Sequence, residues 1–287
     1  MQVKKFSQQQ AFLNFLKNHT EVKEHLQFET AIVARRVQAQ TFTLDGYCRV
    51  CDKPTAFLVD RLYGAQEFAD SWLPNWRERL VCEHCQLNNR QRAIFHVVKE
   101  AVNIHATPES LSLYAMEQVT PLFNQLHKQF RQVTGSEYLG EQLTSGTFVE
   151  GIRHENVEKL SFAEHSFDFI LSNDVLEHVN SPSQAIKEMF RVLKPKGEVF
   201  ISVPFYPNAE HTTQRAKYEE TGITHLLPPV YHGNPLSSEG SLVFNDFGWD
   251  LLEQFRTVGF QAVSLCYYWS YLYGYLGEFQ YYFWAHK

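Results

Sequence analysis

The sequence predicts an α/β chain: a parallel sheet flanked by helices, preceded by a small N-terminal metal-binding module. Three observations predict it. Residues 167–203 alternate between strand and helix patterns, four cysteines form two Cys-x-x-Cys pairs, and an aromatic tail carries the turn residues of a hairpin.

The alternating stretch is the clearest. Phe167-Asp168-Phe169-Ile170-Leu171 is a short apolar run stopped by Ser172-Asn173-Asp174, as in a buried parallel strand that ends in a loop. Asn180-Ser181 before Pro182 signals a helix start. Ala185, Ile186, Met189, Phe190 and Leu193 then recur at helical spacing, with Lys187, Glu188, Arg191 and Lys194 between them. Lys194-Pro195-Lys196-Gly197 breaks the helix, and Val199 to Val203 is the next apolar run, closed by Pro204. Strand, helix, strand with short joins is a βαβ unit. Ligands of open α/β sheets bind beyond the carboxyl ends of the strands, which puts Ser172, Asn173, Asp174, Pro204 and Phe205 on the ligand face.

Upstream, Phe12, Phe15, Leu16, Val22 and Leu26 recur at helical spacing among Lys, Gln and Glu, which predicts one or two amphipathic helices before about Gln40. Asp45-Gly46 marks a turn ahead of the cysteine region. Cys48 and Cys51 form one knuckle and Cys82 and Cys85 another. Each knuckle offers two thiolates, and two knuckles complete a closed tetrahedral Zn2+ site of the structural kind. Disulfides and redox pairs are the other readings of the same pattern. His84 lies inside the second knuckle, but four cysteines already suffice. Residues 52–81 leave room for a small insert. Cys266, in an apolar context, reads as a buried inert thiol. Arg90 and Arg92, just past the second knuckle, suit either ion pairs within the fold or the clamping of a phosphate or carboxylate.

Near Thr107-Pro108 a third part begins. Leu111-Ser112-Leu113-Tyr114 reads as a strand, followed by Ala115-Met116-Glu117-Gln118-Val119 and a helix that starts at Thr120-Pro121. The turn after this strand holds no Gly-x-Gly. The next strand falls near residues 133–138. In the tail, Gly274, Gly277, Glu278 and Gln280 interrupt the run from Leu265 to Trp284, as in a hairpin packed on the sheet. The resulting division is helices over 1–45, a four-cysteine module with a connecting helix over 46–106, and an α/β domain over 107–287 with an insert at 206–241.

At 287 residues, one full domain plus a smaller module is the expected size. The net charge of −6 argues against a surface that coats nucleic acid. The first residues hold no signal-peptide core, and no run reaches membrane-helix length, so the expectation is a cytoplasmic chain without a membrane span.

The strings YAMEQVTPLF, GSEYLG, HENVEKLSF, SNDVLEHV and RVLKPKG, running from about Leu111 to Phe205, resemble the type 11 group of class I S-adenosylmethionine-dependent methyltransferases. The resemblance implies a Rossmann-like seven-stranded methyltransferase sheet, S-adenosylmethionine as cofactor, and methyl transfer. It carries Glu137 to the ribose hydroxyls and Asn156 to adenine, where the family has Asp. Asn173 then completes one polar candidate at the end of each successive strand. Glu117, in the glycine-poor first loop, is the candidate for charge complementarity with the sulfonium or amino group. A hydroxyl acceptor benefits from a general base. His178, just past the 167–171 strand, and His232, in the insert, are the candidates; His211 and His225 lie in the same insert. Arg215 and Tyr218 are candidates for holding an anionic acceptor. Phe244, Phe247, Trp249, Leu251 and Leu252 read as core.

The expected acceptor is a small molecule or a saccharide. Two alternatives stand beside the enzyme: a catalytically silent scaffold of the same fold, favoured by the missing glycines, and an RNA-modifying enzyme with a nucleic-acid-binding zinc module, disfavoured by the acidic balance.

Overall fold

Local patterning fixes the elements, and their pairing fixes where ligands can sit. The structure is a computed structural model that describes residues 1–36, 39–68, 71–105, 107–219 and 222–287. Ala106, the expected end of the cysteine module, and Glu220 and Thr221 of the insert lie outside the described residues. The chain forms two compact units. One comprises Met1–Phe6, Gln10–Ile104 and Cys266–Tyr281; the other comprises Ser7–Gln9, His105–Leu265 and Tyr282–Lys287. The sequence reading divides the chain into three consecutive parts. The structure instead groups the N-terminal helices, the cysteine region and residues 266–281. Buried hydrogen bonds explain why: Arg92 reaches the carbonyls of Tyr273 and Gly274, and Asn89 reaches that of Leu276.

The first unit opens with strand β1 (Gln2–Phe6), which the helical reading of this region does not foresee. Helices α1 (Gln9–Asn18) and α2 (Thr20–Ala34) follow, burying Phe12, Val22, Ile32 and Val33. β2 (Thr41–Cys48) and β3 (Lys53–Asp60) form an antiparallel hairpin. The small hairpin β4 (Gln66–Phe68) with β5 (Ser71–Leu73) fills the spacer, and β6 (Val81–Cys82) pairs with β3. Asp45-Gly46 is not the expected turn. Both residues lie within β2, paired with Ala56 and Thr55. Gly46 serves close packing instead: a Cβ there would meet the Leu272 carbonyl at 2.6 Å and the Phe57 ring at 2.7 Å. Helix α3 (Asn89–Asn103) starts with a capping box, in which the Asn88 side chain accepts from Gln91 N and the Gln91 side chain accepts from Asn88 N.

The second unit carries most of the large sheet. Its strands are β7 (Ser112–Ala115), β8 (Gln132–Gly135), β11 (Phe167–Asn173) and β12 (Leu193–Ser202), with α4 (Pro121–Gln129) and α5 (Pro182–Val192) as crossovers. The short pair β9 (Phe148–Val149) and β10 (Ile152–Arg153) lies between β8 and β11 in the chain. The helix starts fall where the sequence places them: Thr120 caps α4 and Ser181 caps α5, each followed by Pro. After β12 come β13 (Thr213–Gln214), the hairpins β14 (Ala216–Glu219) with β15 (Gly222–His225) and β16 (Tyr231–Asn234) with β17 (Ser237–Leu242), and β18 (Asn245–Asp246). Helix α6 (Asp250–Val258) leads to β19 (Ala262–Trp269) and β20 (Tyr281–His286). Phe244, Phe247, Trp249, Leu251 and Leu252 are all buried, as read from the sequence.

The seven-stranded sheet has the order β1-β19-β20-β12-β11-β7-β8. β8, β7, β11 and β12 are mutually parallel, and β20 is antiparallel to β12. This is a Rossmann-like α/β sheet closed by an antiparallel strand. Its seventh member is the N-terminal β1. Among the described residues, a single parallel bridge, Glu137 with His154, extends the pairing beyond β8. Among the described residues, no helix is long and apolar enough to cross a membrane.

Candidate functional site

The strand order reverses between β7 and β11, since the chain steps from β7 outward to β8 and later returns to the other side. A crevice at the carboxyl ends of strands forms at such a switch point. Glu117, Glu137 and Asn173 stand at or just past the ends of β7, β8 and β11.

Glu137 lies just past β8. One of its carboxylate oxygens accepts the backbone N–H groups of Gln118 (2.6 Å) and Val119 (2.9 Å). The glycine-poor loop after β7 is therefore gathered around a carboxylate rather than shaped by glycines. A glycine does sit on the neighbouring strand. A Cβ at Gly135 would meet the Phe123 ring at 2.4 Å and the Glu117 carbonyl at 2.7 Å, so the loop passes close over the end of β8. Glu117 is buried, and its carboxylate accepts the Thr120 hydroxyl. The Thr120 oxygen in turn accepts from Phe123 N at 3.1 Å and caps α4.

Asn173 ends β11. The Ser202 hydroxyl of β12 lies 2.6 Å from its Oδ1 and 2.8 Å from Oδ1 of Asp174. Asp174 has φ 54°, the left-handed turn that Asp tolerates better than most residues. Ser172 is fully buried at the same end, and its hydroxyl makes no hydrogen bond among the described residues. Asn156 lies past the Glu137–His154 bridge. Its Oδ1 accepts from Glu158 N at 2.9 Å, so the oxygen that the family resemblance offers to adenine already closes an Asx turn.

A second cluster follows β11. His178 ends the short 3-10 helix Leu176–His178, and His232 lies on β16 of the insert. The two rings stand edge to face, 5.1 Å apart. Between them is Glu177, which the sequence reading does not assign any role. Its side chain is fully buried, with Oε1 3.7 Å from His178 Nε2 and 3.5 Å from His232 Nδ1. Its adjacency to His178 is visible in the sequence; the return of His232 to it is a tertiary fact. His211 and His225 do not join this cluster. Arg215 is engaged by Asp246 (2.5 Å) and by the Pro228 carbonyl (2.8 Å), which removes it as a ready anion clamp. Burial, then Glu141, pushes the Tyr218 hydroxyl upward, so it stays a neutral phenol.

In the first unit, the sulfurs of Cys48, Cys51, Cys82 and Cys85 all lie within 4.8 Å of one another. Cys48 Sγ is 3.8 Å from Cys85 Sγ, and Cys51 Sγ is 3.9 Å from Cys82 Sγ. A tetrahedron with Zn–S bonds of about 2.3 Å has edges of about 3.8 Å, so the donor set fits the ion. The knuckles repeat each other: Asp52 and Gln86, each one residue after the second cysteine, both have positive φ. Burial, then the neighbouring charges of Cys48 and Cys82, pushes the Cys51 thiol up to about 12, whereas hydrogen bonds from Cys48 and Cys85 pull Cys82 down. Four thiolates coexist here only with a cation among them. Arg92 is fully buried and donates to the carbonyls of Leu80, Tyr273 and Gly274, while Arg90 pairs with Glu78. Both arginines serve the fold.

The sheet order defines a class by its architecture, a Rossmann-like α/β fold closed by an antiparallel strand. Sequence comparisons find methyltransferase likeness over its central part. A family model described as "Methyltransferase domain" matches residues 118–201. The chain is 33% identical over 81 residues to the glycine/sarcosine/dimethylglycine N-methyltransferase of Actinopolyspora halophila, which is 28% of this chain and 13% of that protein. It is 38% identical over 53 residues to a protein of Mycolicibacterium smegmatis named "Probable S-adenosylmethionine-dependent methyltransferase", covering 18% of this chain and 21% of that one. The chain thus matches only a minor part of either relative. Among solved structures, an S-adenosylmethionine-dependent methyltransferase from Methanosarcina mazei is similar at 17% identity and a TM-score of 0.37, over 62% of this chain and 93% of that one.

Proposed function

We propose that this protein transfers a methyl group from S-adenosylmethionine to a hydroxyl of a small-molecule or saccharide acceptor. What supports the proposal is the reversal of strand order at β7/β11, with Glu117, Glu137 and Asn173 at or just past the ends of β7, β8 and β11. Carboxylates there suit a cofactor that is cationic at both its sulfonium and its amino group. Glu137 would hold the ribose with the oxygen not given to the loop. Glu117 would face the sulfonium or the amino group and Asn156 the adenine, with Asn173 beside the cofactor at the end of β11. The cofactor supplies an already activated methyl group, so the chain has to align the acceptor and keep water out. The insert 206–241 follows β12 and would close over the acceptor. Glu177, His178 and His232 would meet the hydroxyl and ease the loss of its proton. In the same reading, residues 107–287 carry the chemistry, and the four cysteines of the 46–106 module hold a structural Zn2+.

One observation favours a silent scaffold instead. The loop after β7 is already tied down by Glu137, with no glycine of its own to admit the cofactor backbone-close. Calorimetric titration with S-adenosylmethionine and S-adenosylhomocysteine separates the two readings. Micromolar binding supports the enzyme; no binding at millimolar ligand, with or without candidate acceptors, supports the scaffold.

A further inference from the structure

We propose that Glu177, His178 and His232 bind a divalent first-row transition-metal ion. Glu177 is the centre of the site. Its carboxylate is fully buried, and neither oxygen accepts a hydrogen bond among the described residues. A buried carboxylate is normally paired or bound to a metal.

The histidines facing it do not supply the missing hydrogen bonds. His178 Nδ1 lies 2.7 Å from the Leu242 carbonyl, so that nitrogen donates, and in that tautomer Nε2 carries the lone pair a metal would take. Nε2 is the atom that faces Glu177 Oε1, at 3.7 Å. The separation from His232 Nδ1 to the same oxygen is 3.5 Å. Both distances exceed the usual N–H···O range of about 2.7–3.2 Å. They match a cation in the middle: metal–ligand bonds of about 2.1 Å give a tetrahedral edge of about 3.4 Å. The chosen ligand atoms of all three residues lie within 4.8 Å of one another. A histidine ligand that donates its other ring N–H to a backbone carbonyl is the usual outer arrangement of such sites, since it fixes the tautomer and the ring.

The donor set of two imidazoles and one carboxylate suits borderline ions such as Fe2+, Co2+ and Zn2+ more than Mg2+ or Ca2+. Three protein ligands leave coordination positions open. An acceptor oxygen in one of them would have its proton acidified, and that role rests on the methyl-transfer reading. The ion site itself does not.

The test uses the full chain as purified, treated with a weak chelator that spares four-thiolate sites, then titrated with Co2+. The expected result is the visible absorption of cobalt in nitrogen and oxygen coordination, with no growth of sulfur-to-cobalt charge transfer. H232A lies on a largely exposed hairpin and should fold; E177Q checks the carboxylate. Each should weaken Co2+ binding at least about a hundredfold, since even outer-shell changes cost about ten- to a hundredfold. A wild type without these bands, or bands retained unchanged in both variants, overturns the proposal. Calorimetry with S-adenosylmethionine runs in parallel. Cobalt binding without cofactor binding removes the methyl-transfer reading and keeps the ion site; cofactor binding without cobalt does the reverse.

Discussion

Two buried regions, one in each unit, treat polar groups in opposite ways. In the first, Arg92 directs its guanidinium at three backbone carbonyls, and Glu29 accepts from Trp269 Nε1 and Gly277 N, both at 2.7 Å. These groups bind the chain to itself. In the second, the Glu177 carboxylate is as deeply buried as Arg92 yet accepts no hydrogen bond among the described residues, and the Ser172 hydroxyl near the end of β11 likewise has no partner among them. Buried polar groups thus differ in what satisfies them, not in how buried they are, and the unsatisfied Glu177 is the one proposed to meet a ligand.

The comparison breaks most visibly at the cysteines. Cys48→Ser removes one ligand from the proposed zinc site, and structural zinc contributes on the order of 10 kcal/mol to such modules. The variant should lose metal by elemental analysis and melt well below the wild type. If the wild type carries no metal, the zinc reading fails. A smaller loss follows from Arg92→Met, which fills similar space but leaves three carbonyls without a donor. The expected cost is about 3–5 kcal/mol by urea unfolding. A loss under about 1 kcal/mol would show that this charge is not what secures the unit.

How legible all this is in the sequence depends on range. Cys-x-x-Cys twice, Ser181-Pro182 at a helix start and the FDFIL strand are local signals, read within a few residues. Glu177 with His232 is not local: the two meet only because the β16/β17 hairpin returns to the end of β11. Gly135 is similar, since its need for no side chain comes from Phe123 and the Glu117 carbonyl. Asp45-Gly46 misleads because turn-forming residues also permit close packing inside a strand, here against Phe57 and Leu272. β1 is too short and too charged for its pattern to outweigh the helical one that follows.

Glu29 sharpens the comparison through pH. Burial, the largest influence, pushes its carboxyl up to about 7 from the ordinary 4.5, against the opposing hydrogen bonds from Gly277 and Trp269. The folded chain therefore keeps a proton that the unfolded chain has lost. The resulting stabilisation is complete below the unfolded value and lost as pH rises through the folded one, about 3 kcal/mol in all. Glu29→Gln keeps an acceptor oxygen and removes the titration. Its unfolding free energy should change less than that of wild type between about pH 5 and about pH 8. The same slope in both proteins would contradict the assignment.

Glu137 lies between the two regimes, and its effect on stability should be the smallest. One oxygen gathers the loop after β7; the other is the one proposed for the ribose. Glu137→Gln can still accept from Gln118 and Val119, so loop and fold should persist. Glu137→Ala loses both functions. Calorimetry should then give a graded result, with cofactor affinity falling about tenfold in the Gln variant and further in the Ala variant. Melting temperature should drop measurably only in the Ala variant. Equal affinity in wild type and both folded variants would mean that Glu137 belongs with Arg92, as a charge the fold uses for itself.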